Sequence, residues 1–150
     1  MSLDEIRKLP HFAVLSEREF NWLLERAKVV SLDRGDVVLS RDIRPNHYTF
    51  LIEGRWTMRR WARGVEAPVV WTDDRPGSWH GGIDVIDVLA PADVVVESYA
   101  RVLVVPRQAV HELMTRAPKF ALRMMDGLKE GVNRIHDHVV ATTSPQVMTG

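Results

Sequence analysis

The chain of 150 residues contains no cysteine. That absence excludes disulfides, thiol nucleophiles and most structural zinc sites, and it agrees with a reducing compartment. Neither sign of charge is in excess: 20 Lys and Arg stand against 20 Asp and Glu. The balance leaves no electrostatic footprint for nucleic acid or an anionic membrane surface. No apolar run approaches the length of a membrane span. The start, Met1-Ser2-Leu3-Asp4-Glu5, lacks the basic-then-apolar pattern of a secretory signal, and Met1-Ser2-Leu3 reads equally well as native or as a cloning remnant. These absences predict a cytoplasmic protein with no direct nucleic-acid or membrane partner. Its length predicts one domain, and 45% hydrophobic residues are enough to bury a core.

What is present changes period twice along the chain. Leu3, Ile6 and Leu9 share a helical face with Asp4 and Glu5 in the first turn, and Pro10 is expected to end that helix. His11 to Leu15 reads as an apolar connector. Ser16 with Glu19 three residues later is a capping-box pattern, opening a helix to about Ala27 that buries Phe20, Leu23 and Leu24. From Lys28 the period becomes two. Strands are expected at 28–32, 37–40, 47–52, 55–61, 67–72, 94–97 and 101–105, with turns at 33–36, 53–54, 63–64 and 73–77. About eight short strands at such spacing predict a mainly β chain with flanking helices, a jelly-roll (double-stranded β-helix) barrel over residues 28–105. Helices return at 107–141, within a domain of residues 1–141, followed by a flexible tail at 142–150. In the long helix Ala121, Met125, Leu128, Val132, Ile135 and Val139 recur at spacings of 4, 3, 4, 3 and 4. This is a coiled-coil seam and predicts a homodimer. Gly127 and Gly131 beside it each cost the helix about 1 kcal/mol against Ala, which points to close approach of another backbone there.

Residues 76–97 interrupt the strand series. Trp79 and His80 precede two glycines, Gly81 and Gly82, and a short amphipathic run from Ile83 to Leu89 follows. A Gly-Gly turn that opens a helix offers free backbone amides to an anion. The stretch nevertheless contains no Arg, no Lys and no Glu before Glu97.

Several local stretches, taken in order, resemble the cyclic-nucleotide-binding domain of the catabolite-activator-protein (Crp/Fnr-like) superfamily. Leu9-Pro-His-Phe12 with Leu15-Ser16 is similar to its entry helix and connector. Leu32-Asp-Arg-Gly-Asp36 is similar to its first Gly turn, and Tyr48 to Gly54 to the strand before its second fixed Gly. Pro76-Gly-Ser-Trp-His-Gly81 is similar to the lead-in to its phosphate-binding cassette, and Val102-Leu-Val-Val-Pro-Arg107 to its last strand and following helix. The resemblance spans about residues 3–140 and implies a regulatory domain whose pocket is built from the cassette. It places the pocket at Trp79, His80, Gly81, Gly82, Ile83, Ala90, Pro91 and Ala92 and gives the seam helix the role of dimer interface. It also implies that the cassette is degenerate. The Phe-Gly-Glu of nucleotide-binding members is replaced by His80-Gly81-Gly82, the Arg position falls at about Ala90, and Asp42 replaces a family Gly. A bidentate Arg–phosphate contact is worth ~2–5 kcal/mol, so its loss predicts no cAMP or cGMP binding in the usual mode. Asp84 and Asp87 further disfavour an anion. The ligand expected is a neutral or apolar small molecule, or a weakly held cyclic nucleotide, and Trp79 at the pocket lip is the candidate for stacking on it. No cofactor is implied. Nothing after Val140 reads as a helix-turn-helix.

Two other readings stand beside the sensor module. One is a ligand-free structural or interaction homodimer. The other is a cupin-like metalloenzyme. Against the latter, the single His-x-His, His136-Asp-His138, lies on a helix where positions two apart diverge. His47, His80 and His111 have no ligand spacing. No Gly-x-Ser-x-Gly or Ser–His–Asp pattern is present, so the chain is not read as an enzyme.

Overall fold

In the computed structural model, residues 3–41, 45–61, 66–81 and 92–149 are described. Asp42, Gly82, Ile83, Ala90 and Pro91, and the short helix expected from Ile83 to Leu89, lie outside them. Among the described residues the order is α1 (Leu3–Arg7), α2 (Pro10–Ala13), α3 (Glu17–Leu24), β1 (Lys28–Asp33), β2 (Val37–Leu39), β3 (His47–Arg60), β4 (Val69–Asp73), β5 (Trp79–Gly81), β6 (Ala92–Pro106), α4 (Arg107–Arg116) and α5 (Pro118–Thr149). No helix among them is long and apolar enough to cross a membrane.

The N-terminal helices follow from local rules, with one correction. Pro10 begins a helix instead of only ending one: it occupies the first turn of α2, where its missing N–H costs nothing. The expected connector at His11–Leu15 is therefore largely helical, and Arg7 satisfies its end by donating to the carbonyls of Phe12 and Leu15, both at 2.7 Å. The capping box is formed: Ser16 Oγ accepts from Glu19 N, and Glu19 Oε1 accepts from Ser16 N.

The six strands form one antiparallel sheet, ordered β1-β6-β3-β4, with β2 also on β6 and β5 also on β3. The expected count of about eight becomes six among the described residues, because the turn expected at 53–54 and the break expected between 97 and 101 are both continuous strand. Strands 47–52 and 55–61 are one strand, β3, and strands 94–97 and 101–105 are one strand, β6. The reason lies at Gly54, where φ is 104° and a Cβ would come within 2.1 Å of the Tyr99 carbonyl oxygen. Glycine lets β3 continue past β6 with register shifts on either side, where a hairpin turn was expected.

Because β3 and β6 are long, each serves two apolar cores. Tyr48, Phe50, Leu103 and Val105 face the helices and pack with Phe12, Val110, Leu113 and Phe120. Leu51, Trp56, Met58, Val94, Val96 and Val102 form a second core on the opposite face. Tyr48 also ties the sheet to α4, with 2.8 Å between its hydroxyl and His111 Nε2. Helix α5 packs through Phe120 and Met124, which are 0% and 1% exposed. It continues to Thr149, through the residues from 142 onward that the sequence assigns to a tail; no Gly or Pro between positions 132 and 144 supplies a stop.

Candidate functional site

Strand β5 is three residues long, and its register divides its side chains between the two cores. Trp79 lies opposite Phe50, His80 opposite Thr49, and Gly81 opposite Tyr48. Side chains on paired positions share a face, and successive ones alternate. Trp79 therefore points to the helices and His80 to the second core. The ring contacts agree: Trp79 lies 5.6 Å from Tyr48 between centroids, and His80 meets Trp56 edge-on at 4.8 Å. Gly81 ends the strand at φ 149°, where a Cβ would fall 2.3 Å from the His47 carbonyl oxygen. Its glycine is needed for close approach to β3.

This arrangement revises the part expected of Trp79. Its ring is already engaged by Tyr48 and by α5, where a Cβ on Gly127 would lie 2.4 Å from Trp79 Nε1. The close approach expected at Gly127 is real, but the approaching group is a side chain and not a second backbone. The aromatic side chains that meet in the second core are Trp56 and His80. His80 is held neutral, its pKa lowered to about 3, chiefly because burial disfavours the imidazolium and secondly because of the Arg60 charge. Its Nε2 is shut off from solvent without a hydrogen-bond partner among the described residues.

Arg60 was not among the expected site residues. It follows Trp56 and Met58 at intervals of two, so it shares their face of β3. Its direct neighbours are Val69 on β4 and Ala92 on β6. Ala92, an expected pocket residue, is 4% exposed and sits on this face. Burial lowers the Arg60 pKa to about 10, so the guanidinium remains a cation at neutral pH. The missing signal was available in Arg55-Trp-Thr-Met-Arg-Arg-Trp61: strict alternation puts Arg60 with the apolar half.

A polar relay runs from the same face to α5. Trp56 Nε1 donates to Ser78 Oγ at 3.3 Å, and Ser78 Oγ donates to Asp73 Oδ2 at 2.8 Å. Arg75 grips Asp73 through Nε at 3.0 Å and Nη2 at 2.9 Å, and its Nη1 donates to Glu130 Oε2 on α5 at 2.5 Å. Burial alone would raise the Asp73 pKa, but the donors of Arg75 and Ser78 outweigh it and hold the carboxyl below its ordinary value. Sequence reading treated residues 73–77 as a turn cluster. Asp73 is the last residue of β4 and the chain turns after it, with Gly77 at φ 92° against Pro10 and His11, and Asp73, Arg75 and Ser78 around that turn carry this relay.

The seam residues divide. Ala121 and Leu128 are half-buried, and Met125 is 51% exposed beside Leu122 at 66%. Val132, Ile135 and Val139 lie on α5, but their side chains are outside the described residues. Among the described residues no three His, Asp or Glu side chains converge on a metal position.

This order of three short helices, an antiparallel sheet, a fourth helix and a long terminal helix has relatives among solved structures. A CooA mutant from Carboxydothermus hydrogenoformans superposes with a TM-score of 0.68 at 12% identity, over 95% of this chain and 88% of that one. The sensor domain of the transcriptional regulator DNR from Pseudomonas aeruginosa gives 0.68 at 15% identity, over 93% and 96%. A cyclic nucleotide-binding domain from Methylobacillus flagellatus gives 0.62 at 16% identity, over 96% and 81%. The chain has the cyclic-nucleotide-binding fold. No family model matches the sequence, and no curated protein matches it. The likeness therefore rests on the jelly-roll architecture of the cyclic-nucleotide-binding fold, with its sheet and flanking helices, and Arg60, His80 and the Asp73–Arg75–Glu130 relay are read from this chain's own geometry.

Proposed function

We propose that this chain is a regulatory or sensor module of the cyclic-nucleotide-binding fold, acting without catalysis and not binding cAMP or cGMP in the usual mode. The observation that carries the reading is the relay from Trp56 through Ser78, Asp73 and Arg75 to Glu130. It joins the second core to the helix that carries the seam. A change in packing around Trp56 and His80 biases the position of α5, which makes α5 the output element of a two-state module. The solved relatives include the sensor domain of a transcriptional regulator and a catabolite activator protein, and that supports a regulatory role.

Titrating cAMP and cGMP against the purified chain, with tryptophan fluorescence and melting temperature as readouts, tests the ligand half of this reading. No saturation at micromolar nucleotide is expected, and saturable micromolar binding of either would sink it. A second reading, an interaction homodimer with no small ligand, is favoured by the exposure of Leu122 and Met125 on α5. Light scattering separates monomer from dimer. If the seam is the interface, Val132→Asp with Ile135→Asp dissociates the dimer.

A further inference from the structure

Glycine recurs in α5 at an interval of four, as Gly127 and Gly131, and the first of the pair receives the Trp79 indole: a Cβ there would lie 2.4 Å from Trp79 Nε1. That nitrogen is withdrawn from solvent and has no hydrogen-bond partner among the described residues. Space, and not a bond, seats the indole at Gly127. The same space recurs one turn on, about 6 Å along the helix axis. The buried positions repeat at the same interval. Ala117, Phe120 and Met124 are 6%, 0% and 1% exposed, and four residues after each stand Ala121, Met124 and Leu128. A helix moved along its axis by four residues thus puts alanine for alanine, methionine for phenylalanine, leucine for methionine and glycine for glycine. Cores tolerate exchanges between apolar side chains of similar volume best. Other shifts fail: a shift of three brings Glu130 to the indole, and a shift of four in the opposite sense brings Arg123 there. Among these inner positions one breaks the repeat. Glu130 accepts from Arg75 Nη1 at 2.5 Å, and four residues after it the sequence has Arg134. The second placement replaces a charge-assisted bond with two positions of like charge.

We propose that α5 has two registers on the sheet, one turn apart, with either Gly127 or Gly131 under the Trp79 indole, and that the ion pair of Arg75 with Glu130 selects the first. The proposal rests on the reading of α5 as the output element and supplies the two states which that reading requires. Close-packed helices interdigitate at either end of a one-turn movement and not between, so the two registers are discrete. In the second register the first turn, residues 118–121, leaves the helix and lengthens the link to α4. Pro118 has no N–H to lose there, and the bond from Ala121 N to the Ala117 carbonyl at 3.1 Å is given up. Arg75 is the point of control because its other contacts lead inward, to Asp73 and through Ser78 to Trp56. A change in packing at Trp56 that draws Arg75 away from Glu130 removes the bond that selects the first register.

The experiment is a nuclear Overhauser measurement on the full chain, between the Trp79 indole N–H and the Hα protons of Gly127 and Gly131. The parent is expected to show the contact to Gly127. Exchanging the two charges, Glu130→Arg with Arg134→Glu, opposes the first register and favours the second. The contact then moves to Gly131, the ratio of the two rising at least about tenfold. Adding Gly131→Leu to the exchange closes the second notch and returns the contact to Gly127. Where the exchange variant departs from the parent in circular dichroism, Glu130→Gln with Arg134→Gln takes its place and shows both contacts. A contact that reaches Gly131 in neither charge variant, or one that Gly131→Leu leaves at position 131, overturns the two registers. The sensor reading fails separately. In the Glu130→Gln, Arg134→Gln background, Trp56→Phe shifts the ratio of the two contacts if the second core acts on α5, and an unchanged ratio removes that mechanism while upholding the registers. A contact confined to Gly127, together with faster amide exchange of α5 in Trp56→Phe, removes the registers and keeps the mechanism.

Discussion

Gly127 lies inside α5, where an alanine is ordinarily better by about 1 kcal/mol because glycine gives up more backbone freedom. A Cβ at this position would stand 2.4 Å from Trp79 Nε1 and 3.1 Å from both Trp79 Cδ1 and Cε2. Carbon and nitrogen do not approach so closely, so the indole or the helix must move. The indole has little room, being packed against Tyr48 at 5.6 Å in the helical core. Forced overpacking of this kind costs about 1–3 kcal/mol. Gly127→Ala is therefore expected to be neutral to about 2 kcal/mol destabilising, against the ordinary expectation for a helix. In a Trp79→Leu background the obstruction is gone, and the same change should stabilise by about 1 kcal/mol. Urea unfolding of the four proteins measures the difference as a coupling energy of about 1–3 kcal/mol. Stabilisation by the same 1 kcal/mol in both backgrounds would refute the contact between β5 and α5, and with it one of the two ties that connect the site to the output helix.

Acid should destabilise the fold well above the carboxylate range. Burial lowers the pKa of His11 to about 4 and of His80 to about 3. The unfolded chain takes up these protons below about 6.5, so stability is full above that pH. Between there and about pH 4 it is lost at a rate approaching 1.4 kcal/mol per pH unit for each histidine. Denaturant midpoints at pH 7.5, 6 and 5 measure this, and His80→Leu should halve the slope; a profile flat across that range contradicts the burial of both rings. Gly54→Ala meets a left-handed φ and the Tyr99 carbonyl together, and should cost more than ~3 kcal/mol; a loss below 1 kcal/mol in the same assay counts against the tight crossing of β3 and β6. Arg75→Met leaves the Asp73 carboxylate buried without its cation, at about 1–3 kcal/mol. Because the depressed Asp73 pKa contributes stability only above the ordinary carboxylate value, the variant should lose less than the parent as pH falls further, and α5 should exchange amide hydrogen faster around Glu130. Unchanged exchange would remove the relay as a link.

The parts of the fold governed by local chemistry are readable in the sequence, and the parts governed by crossings are not. Ser16 and Glu19 announce a helix start because both halves of the capping box lie within one turn. The positive φ of Gly35, at 88°, belongs to a turn that Asp33-Arg-Gly-Asp36 specifies by itself. Gly54 looks the same in sequence, following Glu53 between two alternating runs, yet it serves the opposite purpose. Its glycine is required by Tyr99, a residue 45 positions away on another strand, and the chain there runs straight on. Reading it as a hairpin divided β3 in two and inflated the strand count. Pro10 was misjudged for a related reason: a proline permits the first turn of a helix as readily as it ends one, and Leu9 alone does not indicate which.

The site shows the same division in sharper form. A search for charge confined to residues 76–97 looks where a ligand loop is contiguous in sequence, and by that criterion the chain has no cation to offer an anion. Antiparallel pairing does not respect that contiguity. It sets Arg60 directly across from Ala92, 32 positions further along the chain, and on the face toward which His80 turns. The information was present as parity: Trp56 and Met58 are too apolar to face water together, and whatever follows them at the same interval must enter the core with them. A charged residue caught in that position carries a desolvation cost that a surface arginine avoids. A chain that only needed to fill the core would be served better by leucine or methionine there. Parity on β3 thus brings a guanidinium to the same apolar face that receives the His80 ring.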